Sequence, residues 1–137
     1  MKDVFISHNW GKDRVGRDNH GRCLELSKIL NEKGYTTWID KNDLLSNIDS
    51  SIIKGINNSK VVLICLTEKY MNKIDNSVLN NNLRDNCYKE WNYSLFKQKP
   101  IIPISMENAV EDKFNNDDGV IQMYLYNTMY INFNSLQ

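Results

Sequence analysis

The chain has 137 residues, a length that fits one domain able to bury about two thirds of its unfolded surface. Its 17 Lys and Arg residues balance 17 Asp and Glu residues, so no net field draws it to nucleic acid or to an anionic membrane. With no basic leader and no apolar run of bilayer-spanning length, we expect one cytoplasmic domain over residues 1–137, without membrane contact from this segment.

The first part of the chain alternates strand and helix patterns. Residues 3–7 (DVFIS) form a short apolar run typical of a strand covered on both faces. A helix follows, its apolar face marked by Cys23, Leu26, Ile29 and Leu30. Gly34 stands where the C-terminal cap of this helix belongs. Residues 35–40 (YTTWID) predict a second strand, residues 41–47 (KNDLLSN) a polar loop, and residues 50–57 a short helix.

Three further strands are predicted in the remainder. Residues 60–67 (KVVLICLT) are the most continuous apolar run, which indicates a central strand of a parallel sheet. A helix begins directly after it, is interrupted by an asparagine-rich stretch and resumes at Asn86. Residues 99–106 (KPIIPISM) predict the fourth strand, although Pro103 favours an edge position or a strand end. Residues 129–133 (MYINF) predict the fifth strand.

This alternation predicts a parallel sheet with helices on both faces, a three-layer α/β architecture. Five strands suggest the flavodoxin-like order 2-1-3-4-5, whose ligands bind beyond the carboxyl ends of the strands where the order reverses. That edge collects the loops after the first two strands, the exit of the third strand at Thr67, and the helix start at Asn86. Glu90 is therefore expected at the rim of a ligand crevice.

Several common chemistries are excluded by their missing motifs. The chain has neither a GxxxxGK[ST] phosphate loop nor a GxGxxG after the first strand. A phospho-receiver of this fold would carry acidic residues where this chain has His8 and Thr67. The cysteines show no metal-ligand spacing, so we expect them to be reduced and packed, and we expect no metal site: Cys23, Cys65 and Cys87.

Glu90 is the candidate for chemistry. With Asp85 or Asn86 as the N-cap, it lies within about one turn of a helix N-terminus, which favours the ionised carboxylate. It borders the apolar face formed by Cys87, Trp91 and Leu95 and is expected to be half-buried. A fixed carboxylate there could stabilise positive charge as a glycosidic bond breaks. The alternative is a surface glutamate that only complements the helix dipole.

The loops beside this helix offer candidate ligand contacts. Trp10 could stack on a base or a pyridinium ring. The cationic residues of the same loop could hold a diphosphate or form internal salt bridges: Lys12, Arg14, Arg17 and Arg22. In the second loop, Leu44 and Leu45 either fold back on the core or form a contact surface.

From Asp3 to about Phe133, the chain resembles a Toll/interleukin-1 receptor (TIR) domain. The segments that carry the resemblance are, in order, DVFISH, GYTTWID, KNDLLSNIDSSIIKGINNSKVVLICLTEKYM, NCYKEW and KPIIPI. The third of them is similar to the family's BB loop, second helix and third strand. NCYKEW is similar to the stretch in which enzymatic members keep their catalytic glutamate, and Glu90 occupies that position.

The resemblance implies a role in signalling or innate immunity, by one of two routes. Enzymatic members cleave the N-glycosidic bond of NAD+ and leave ADP-ribose or a cyclic isomer, with NAD+ as substrate and no separate cofactor. Adaptor members act only by associating with other TIR domains through the BB loop. For the enzymatic route, the implied substrate walls are His8, Asn9, Trp10, Arg14, Asp40 and Leu44, and the implied self-association contacts are Leu44 and Leu45.

The chain departs from the enzymatic pattern at three places. Asn86 stands where relatives often carry a Trp, and Asn9 and Trp10 stand where some carry basic residues, so we hypothesise that Trp10 replaces the missing aromatic. Only NSLQ follows Phe133, so we expect the family's final helix to be missing, either because the chain is a fragment of a longer protein or because the helix is absent. The alternatives to an NAD+ nucleosidase are an adaptor module and a sensor that binds a nucleotide without cleaving it.

Overall fold

The structure is a computed structural model that describes residues 1–40, 48–125 and 128–135. Its strands are β1 (Lys2–Ser7), β2 (Thr37–Trp38), β3 (Ser59–Leu66), β4 (Ile101–Ser105) and β5 (Ile131–Asn132). Its helices are α1 (Asn19–Glu32), α2 (Ile48–Asn57), α3 (Glu68–Leu79), α4 (Asn86–Phe96), α5 (Asn108–Asn116) and α6 (Val120–Leu125). None of these helices is both long and apolar enough to cross a bilayer.

The strands form one sheet in the order β2-β1-β3-β4-β5, and every pairing in it is parallel. The predicted flavodoxin-like architecture is therefore confirmed. β3 is the central strand, as its continuous apolar run indicated, and residues 62–66 of it are buried. The order reverses between β1 and β3, which places the exits of β1, β2 and β3 around one edge of the sheet.

Alternate side chains of the sheet pack into two cores. Phe5, Val62 and Ile64 belong to the core that also contains Ile56 of α2 and Trp91 of α4. The opposite core contains Val4, Ile6, Leu63 and Cys65 of the sheet with Cys23 and Leu26 of α1. Burial of each such apolar side chain stabilises the fold by roughly 1.5–3 kcal/mol. The three cysteines are free and buried, which confirms that they are packed.

Three helices begin at side-chain caps that the sequence places at strand exits or turns. The carboxylate of Asp18 accepts from the Gly21 amide at 2.8 Å, and the hydroxyl of Thr67 accepts from the Tyr70 amide at 3.0 Å. Asp85 caps α4 by accepting from the Tyr88 amide at 2.9 Å. Each cap satisfies a free backbone donor of the first turn. The Asp85 cap fixes where α4 begins and therefore where Glu90 lies.

The structure corrects several boundaries. β2 and β5 contain two residues each and are shorter than predicted. Pro103 favours an edge position or a strand end, but the structure shows neither, because β4 lies between β3 and β5 and Pro103 is the third of its five residues. Pro103 pairs with Ile64 of β3, but β5 pairs only with Ile104 and Ser105. Because no β5 residue pairs with Pro103, its missing N–H is tolerated inside the sheet. Helices α5 and α6 were not predicted.

Candidate active site

A cavity of about 150 Å³ opens at the carboxyl ends of β1 and β2. Its walls come from the residues after these strands and from the N-terminal halves of α2, α3 and α4. The lining residues are His8, Trp10, Asp40, Ile48, Lys73, Asp85, Asn86, Cys87 and Glu90. The edge of the sheet where the strand order reverses thus carries a cavity, as the topology predicts.

Glu90 is held in this cavity by the hydroxyl of Ser7, which in turn contacts the hydroxyl of Tyr70. Oγ of Ser7, the last residue of β1, donates to Oε1 of Glu90 at 2.5 Å. The same Oγ lies 2.6 Å from the hydroxyl of Tyr70 in α3. Ser7 and Tyr70 are fully buried, and Glu90 is 7% exposed. A chain of three polar groups therefore runs from the core to the cavity.

The structure corrects the prediction that Glu90 is half-buried and readily ionised. Burial raises the pKa of the Glu90 carboxyl well above its usual value. The hydrogen bond from Ser7 lowers this pKa, and the charges of Asp40 and Asp85 raise it further. The reason is positional: with Asp85 as the cap, Glu90 is the fifth residue of α4 and lies past the helix's free N–H groups. The partial positive charge at the N-terminus of α4 therefore does not offset the cost of burying the ionised carboxylate.

His8, Trp10 and His20 form an aromatic stack beside the carboxyl. The rings of Trp10 and His20 lie 3.8 Å apart at their centroids with an interplanar angle of 17°. Nε2 of His8 lies 2.8 Å from Nδ1 of His20. Burial, followed by the neighbouring His20, lowers the pKa of His8 to about 4. His8 is therefore neutral near pH 7, and Trp10 presents an aromatic wall to the cavity.

Two residues predicted to bind substrate lie outside the cavity lining. Asn9 is buried; its amide donates to the Trp10 carbonyl at 3.0 Å and its Oδ1 accepts from the Thr67 hydroxyl, so it ties the exits of β1 and β3 together. The Arg14 side chain is 66% exposed and lies 3.5 Å from Glu68. The predicted contacts Leu44 and Leu45 lie outside the described residues.

Arg17, in the loop before α1, and Arg22, in the first turn of α1, form internal contacts, which confirms the salt-bridge alternative for these two residues. Arg17 Nε lies 2.8 Å from Asp13 Oδ2. Arg22 is buried and donates to the Phe133 carbonyl at 2.6 Å and to the Met106 carbonyl. This cluster joins the loop before α1 to the residues that follow β4 and β5.

Sequence reasoning missed several of the residues around Glu90. The sequence pattern predicts a strand at Ser7 and a helix at Tyr70 but no contact of either with Glu90, and it does not distinguish Lys73. The position of Ser7 at the carboxyl end of the first strand was an available signal, because ligand-contacting residues of this fold concentrate there. Nothing in the local pattern around Tyr70 distinguishes it from an ordinary core aromatic.

A larger depression of about 770 Å³ lies between α2 and α4 and is mostly apolar. Ile53, Tyr93, Phe96 and Tyr124 contribute to its lining, and an ion pair of 2.7 Å joins Asp49 to Lys89 across it. None of the site residues predicted from sequence contributes to its lining among those described. The smaller cavity, which contains the buried carboxyl, is therefore the better candidate for chemistry.

The sequence profile of the TIR domain family matches residues 4–135. The chain therefore belongs to the TIR domain family. Among curated protein sequences, none matched this chain.

Two solved structures have a similar fold. The TIR domain of the Toll-related receptor TRR-2 from Hydra magnipapillata is 17% identical, with a TM-score of 0.55 over 97% of this chain and 85% of that chain. The TIR domains of the activated Roq1 resistosome, which directly recognises the pathogen effector XopQ, are 19% identical, with a TM-score of 0.54 over 86% of this chain and 65% of that chain. At these identities the likeness concerns the fold alone.

Proposed function

We propose that this TIR domain cleaves the nicotinamide–ribose bond of NAD+, with Glu90 as the catalytic carboxylate. The observation that carries the proposal is the buried carboxyl of Glu90 in a cavity at the carboxyl ends of β1 and β2, beside Trp10. The products are nicotinamide and either ADP-ribose or a cyclic isomer. In this role, residues 1–137 act as one cytoplasmic domain that needs no separate cofactor.

Cleavage of this bond requires little acid catalysis. Nicotinamide leaves a cationic nucleotide as a neutral molecule, so the departing group needs no proton, while positive charge builds up on the ribose. A carboxylate fixed near the ribose stabilises that charge, and more strongly in a buried site than in water. The role requires Glu90 to be ionised when substrate is bound.

The raised pKa of Glu90 is compatible with this role because the substrate itself carries positive charge. A pyridinium ring beside the carboxyl favours the ionised form and lowers the pKa that burial had raised. Binding and ionisation are therefore coupled. Asp40, which lines the same cavity, adds attraction for a cationic ring, whereas Asp85 is paired with Lys73 at 3.2 Å.

The dimensions of the cavity indicate which part of NAD+ enters it. A volume of about 150 Å³ is smaller than typical pockets for whole drug-sized ligands, which are about 300–1,000 Å³. We therefore place the nicotinamide and its ribose inside, with the ring against Trp10. The rest of the dinucleotide then lies outside the cavity, towards the loops after β1 and β2.

A second candidate function is an adaptor that acts by association with other TIR domains. Family membership favours it, and the Roq1 TIR domains are described within an assembled resistosome. Self-association is also compatible with the enzyme, since a partner's BB loop could complete the cavity. In either case Leu44 and Leu45 are the proposed contacts.

Nicotinamide release by concentrated protein incubated with NAD+ tests the proposal. Wild type is compared with Glu90→Gln and with Glu25→Gln, an exposed glutamate of α1 that serves as the matched control. We expect release by wild type and Glu25→Gln and loss of release in Glu90→Gln. Equal release by all three proteins would remove Glu90 from its role.

Two further outcomes identify the alternatives. Binding of NAD+ without release supports a nucleotide sensor. Neither binding nor release, together with concentration-dependent assembly, supports the adaptor. In an active protein, Trp10→Ala is expected to raise the KM for NAD+, and an unchanged KM would exclude the stacking role of Trp10.

A further inference from the structure

Ser7, Tyr70 and Glu90 come from three different elements and form one hydrogen-bonded chain. The distances are 2.6 Å between the two hydroxyl oxygens and 2.5 Å between Ser7 Oγ and Glu90 Oε1. Ser7 lies 83 residues before Glu90 in the sequence, so the contact depends on the tertiary fold. Neither hydroxyl reaches bulk solvent.

The directions of these bonds follow from counting hydrogens. Each hydroxyl has one hydrogen, and among the described residues Ser7 is the one acceptor within reach of the Tyr70 hydroxyl. Tyr70 therefore donates to Ser7, which leaves the Ser7 hydrogen for Oε1 of Glu90. Burial raises the pKa of Tyr70 well above its usual value, so it keeps its hydrogen.

The two oxygens of Glu90 consequently differ. Oε1 accepts from Ser7, whereas no group among the described residues donates to Oε2. Since Glu90 lines the cavity, Oε2 is the oxygen left to meet a bound molecule. A proton taken up by the carboxyl also belongs on Oε2, because Oε1 already faces a donor.

We propose that Ser7 and Tyr70 are positioning residues, which hold Oε1 of Glu90 at the end of β1 and turn Oε2 towards the substrate. This inference rests on the proposed function of Glu90. Ser7 acts directly on the carboxyl, and Tyr70 acts through Ser7 by fixing the direction of its hydroxyl. Without Ser7, a buried acceptor loses its donor and the carboxylate loses the contact that favours its ionised form.

Other titratable groups also face Glu90 and remain unchanged in the variants that test this inference. They are His8 after β1, Asp40 after β2, Lys73 of α3, and Asp85 and Cys87 of α4, whereas Cys65 of β3 packs on the opposite face of the sheet. The fold also offers a matched control. The buried hydroxyl of Ser94, on the same helix as Glu90, donates at 2.6 Å to the main-chain carbonyl of Glu90 and not to its carboxyl.

The test is a direct titration of the Glu90 carboxyl by ¹³C NMR in substrate-free protein, with its resonance assigned by comparison with Glu90→Gln. Ser7→Ala should raise the pKa of Glu90 by roughly one unit, as expected for loss of a hydrogen bond to a charged group. Tyr70→Phe, which keeps the ring packing, should raise it by a smaller amount. Ser94→Ala should leave it unchanged. The same pKa in wild type, Ser7→Ala and Tyr70→Phe would overturn the proposal.

Kinetics of nicotinamide release provide the second readout. Ser7→Ala should lower kcat/KM about tenfold or more at pH 7, and should move the acid limb of the profile to higher pH. If wild type releases no nicotinamide while the NMR shift is observed, the proposed function fails and the positioning of the carboxyl stands. If wild type is active and neither Ser7→Ala nor Tyr70→Phe alters kcat/KM or the pH profile, the positioning role fails and the proposed function stands.

Discussion

Nε2 of His8 lies 2.8 Å from Nδ1 of His20, and the two rings stack with their centroids 4.9 Å apart. One hydrogen occupies the contact between these nitrogens, so protonating both of them breaks it. Burial and the neighbouring His20 lower the pKa of His8 to about 4. His8 therefore enters this contact as a neutral ring near pH 7.

This pair makes the fold sensitive to mild acid. Between pH 6.5 and about 4 the unfolded chain binds a proton at His8 that the folded protein does not, so stability falls as the pH drops through this window. The contribution of His8 to the free energy of unfolding is then lower by roughly 3 kcal/mol at pH 4 than at pH 7. Urea denaturation from pH 4 to 7 should show a smaller pH dependence in His8→Gln than in wild type. If the free energy of unfolding changed equally with pH in wild type and His8→Gln, His8 would be excluded as the source of the acid sensitivity.

Glu90 should have the opposite pH dependence. Its raised pKa means that the folded protein binds a proton which the unfolded chain has released, so stability falls as the pH rises above about 4.5. Glu90→Gln removes this buried charge and should stabilise the protein at pH 8 by on the order of 1–3 kcal/mol. The gain should disappear near pH 4. Denaturation curves at both pH values measure it, and a variant less stable than wild type at pH 8 would contradict the assignment.

Arg22 should be essential for the stability of the fold. Its guanidinium donates to the carbonyls of Met106 and Phe133 and lies 3.6 Å from Asp13. Arg22→Lys keeps the charge but loses the planar fork, which leaves a buried carbonyl unpaired and should cost about 2–4 kcal/mol. Arg14→Lys, at an exposed ion pair, should change the free energy of unfolding by less than about 1 kcal/mol. Similar losses of stability in Arg22→Lys and Arg14→Lys would contradict the structural role assigned to Arg22.

Gly55 should tolerate no side chain, although it lies inside α2. A Cβ at this position would lie 2.6 Å from Phe5 Cε2 and 2.7 Å from Trp38 Nε1, both parts of the core. Gly55→Ala should therefore lower stability by about 1–3 kcal/mol despite the better helix propensity of alanine. Ser50→Ala, on the exposed side of the same helix, should leave the melting temperature within a few degrees of wild type. A stabilised Gly55→Ala variant would show that the core accommodates the methyl group.

The elements predicted correctly are those whose apolar pattern is continuous or periodic. β3 was predicted over residues 60–67 and spans Ser59–Leu66, and α1 ends at Glu32, close to Gly34, which has a φ of +94°. α5 was missed because only Ala109 and Val110 of it are buried, too few for a helical period to show. α6 has six residues and is shorter than the window in which periodicity is measured.

The site was predictable in position but not in its electrostatics. Strand order and helix starts indicated the edge of the sheet and the place of Glu90 on it, because both depend on local patterns. The burial of Glu90 depends on Ser7, which lies 83 residues earlier, and on Tyr70 of another helix. No local pattern encodes such contacts, so the predicted half-exposed anion became a buried carboxyl with a raised pKa.

The all-parallel sheet has a consequence for how this protein is made. Each parallel pairing requires a crossover segment, and pairings of this kind close late because the entropy of long loops must be overcome first. During synthesis, Ser7 leaves the ribosome long before its partner carboxyl is translated. The surroundings of Glu90 are therefore completed late in folding, and partly folded chains lack them.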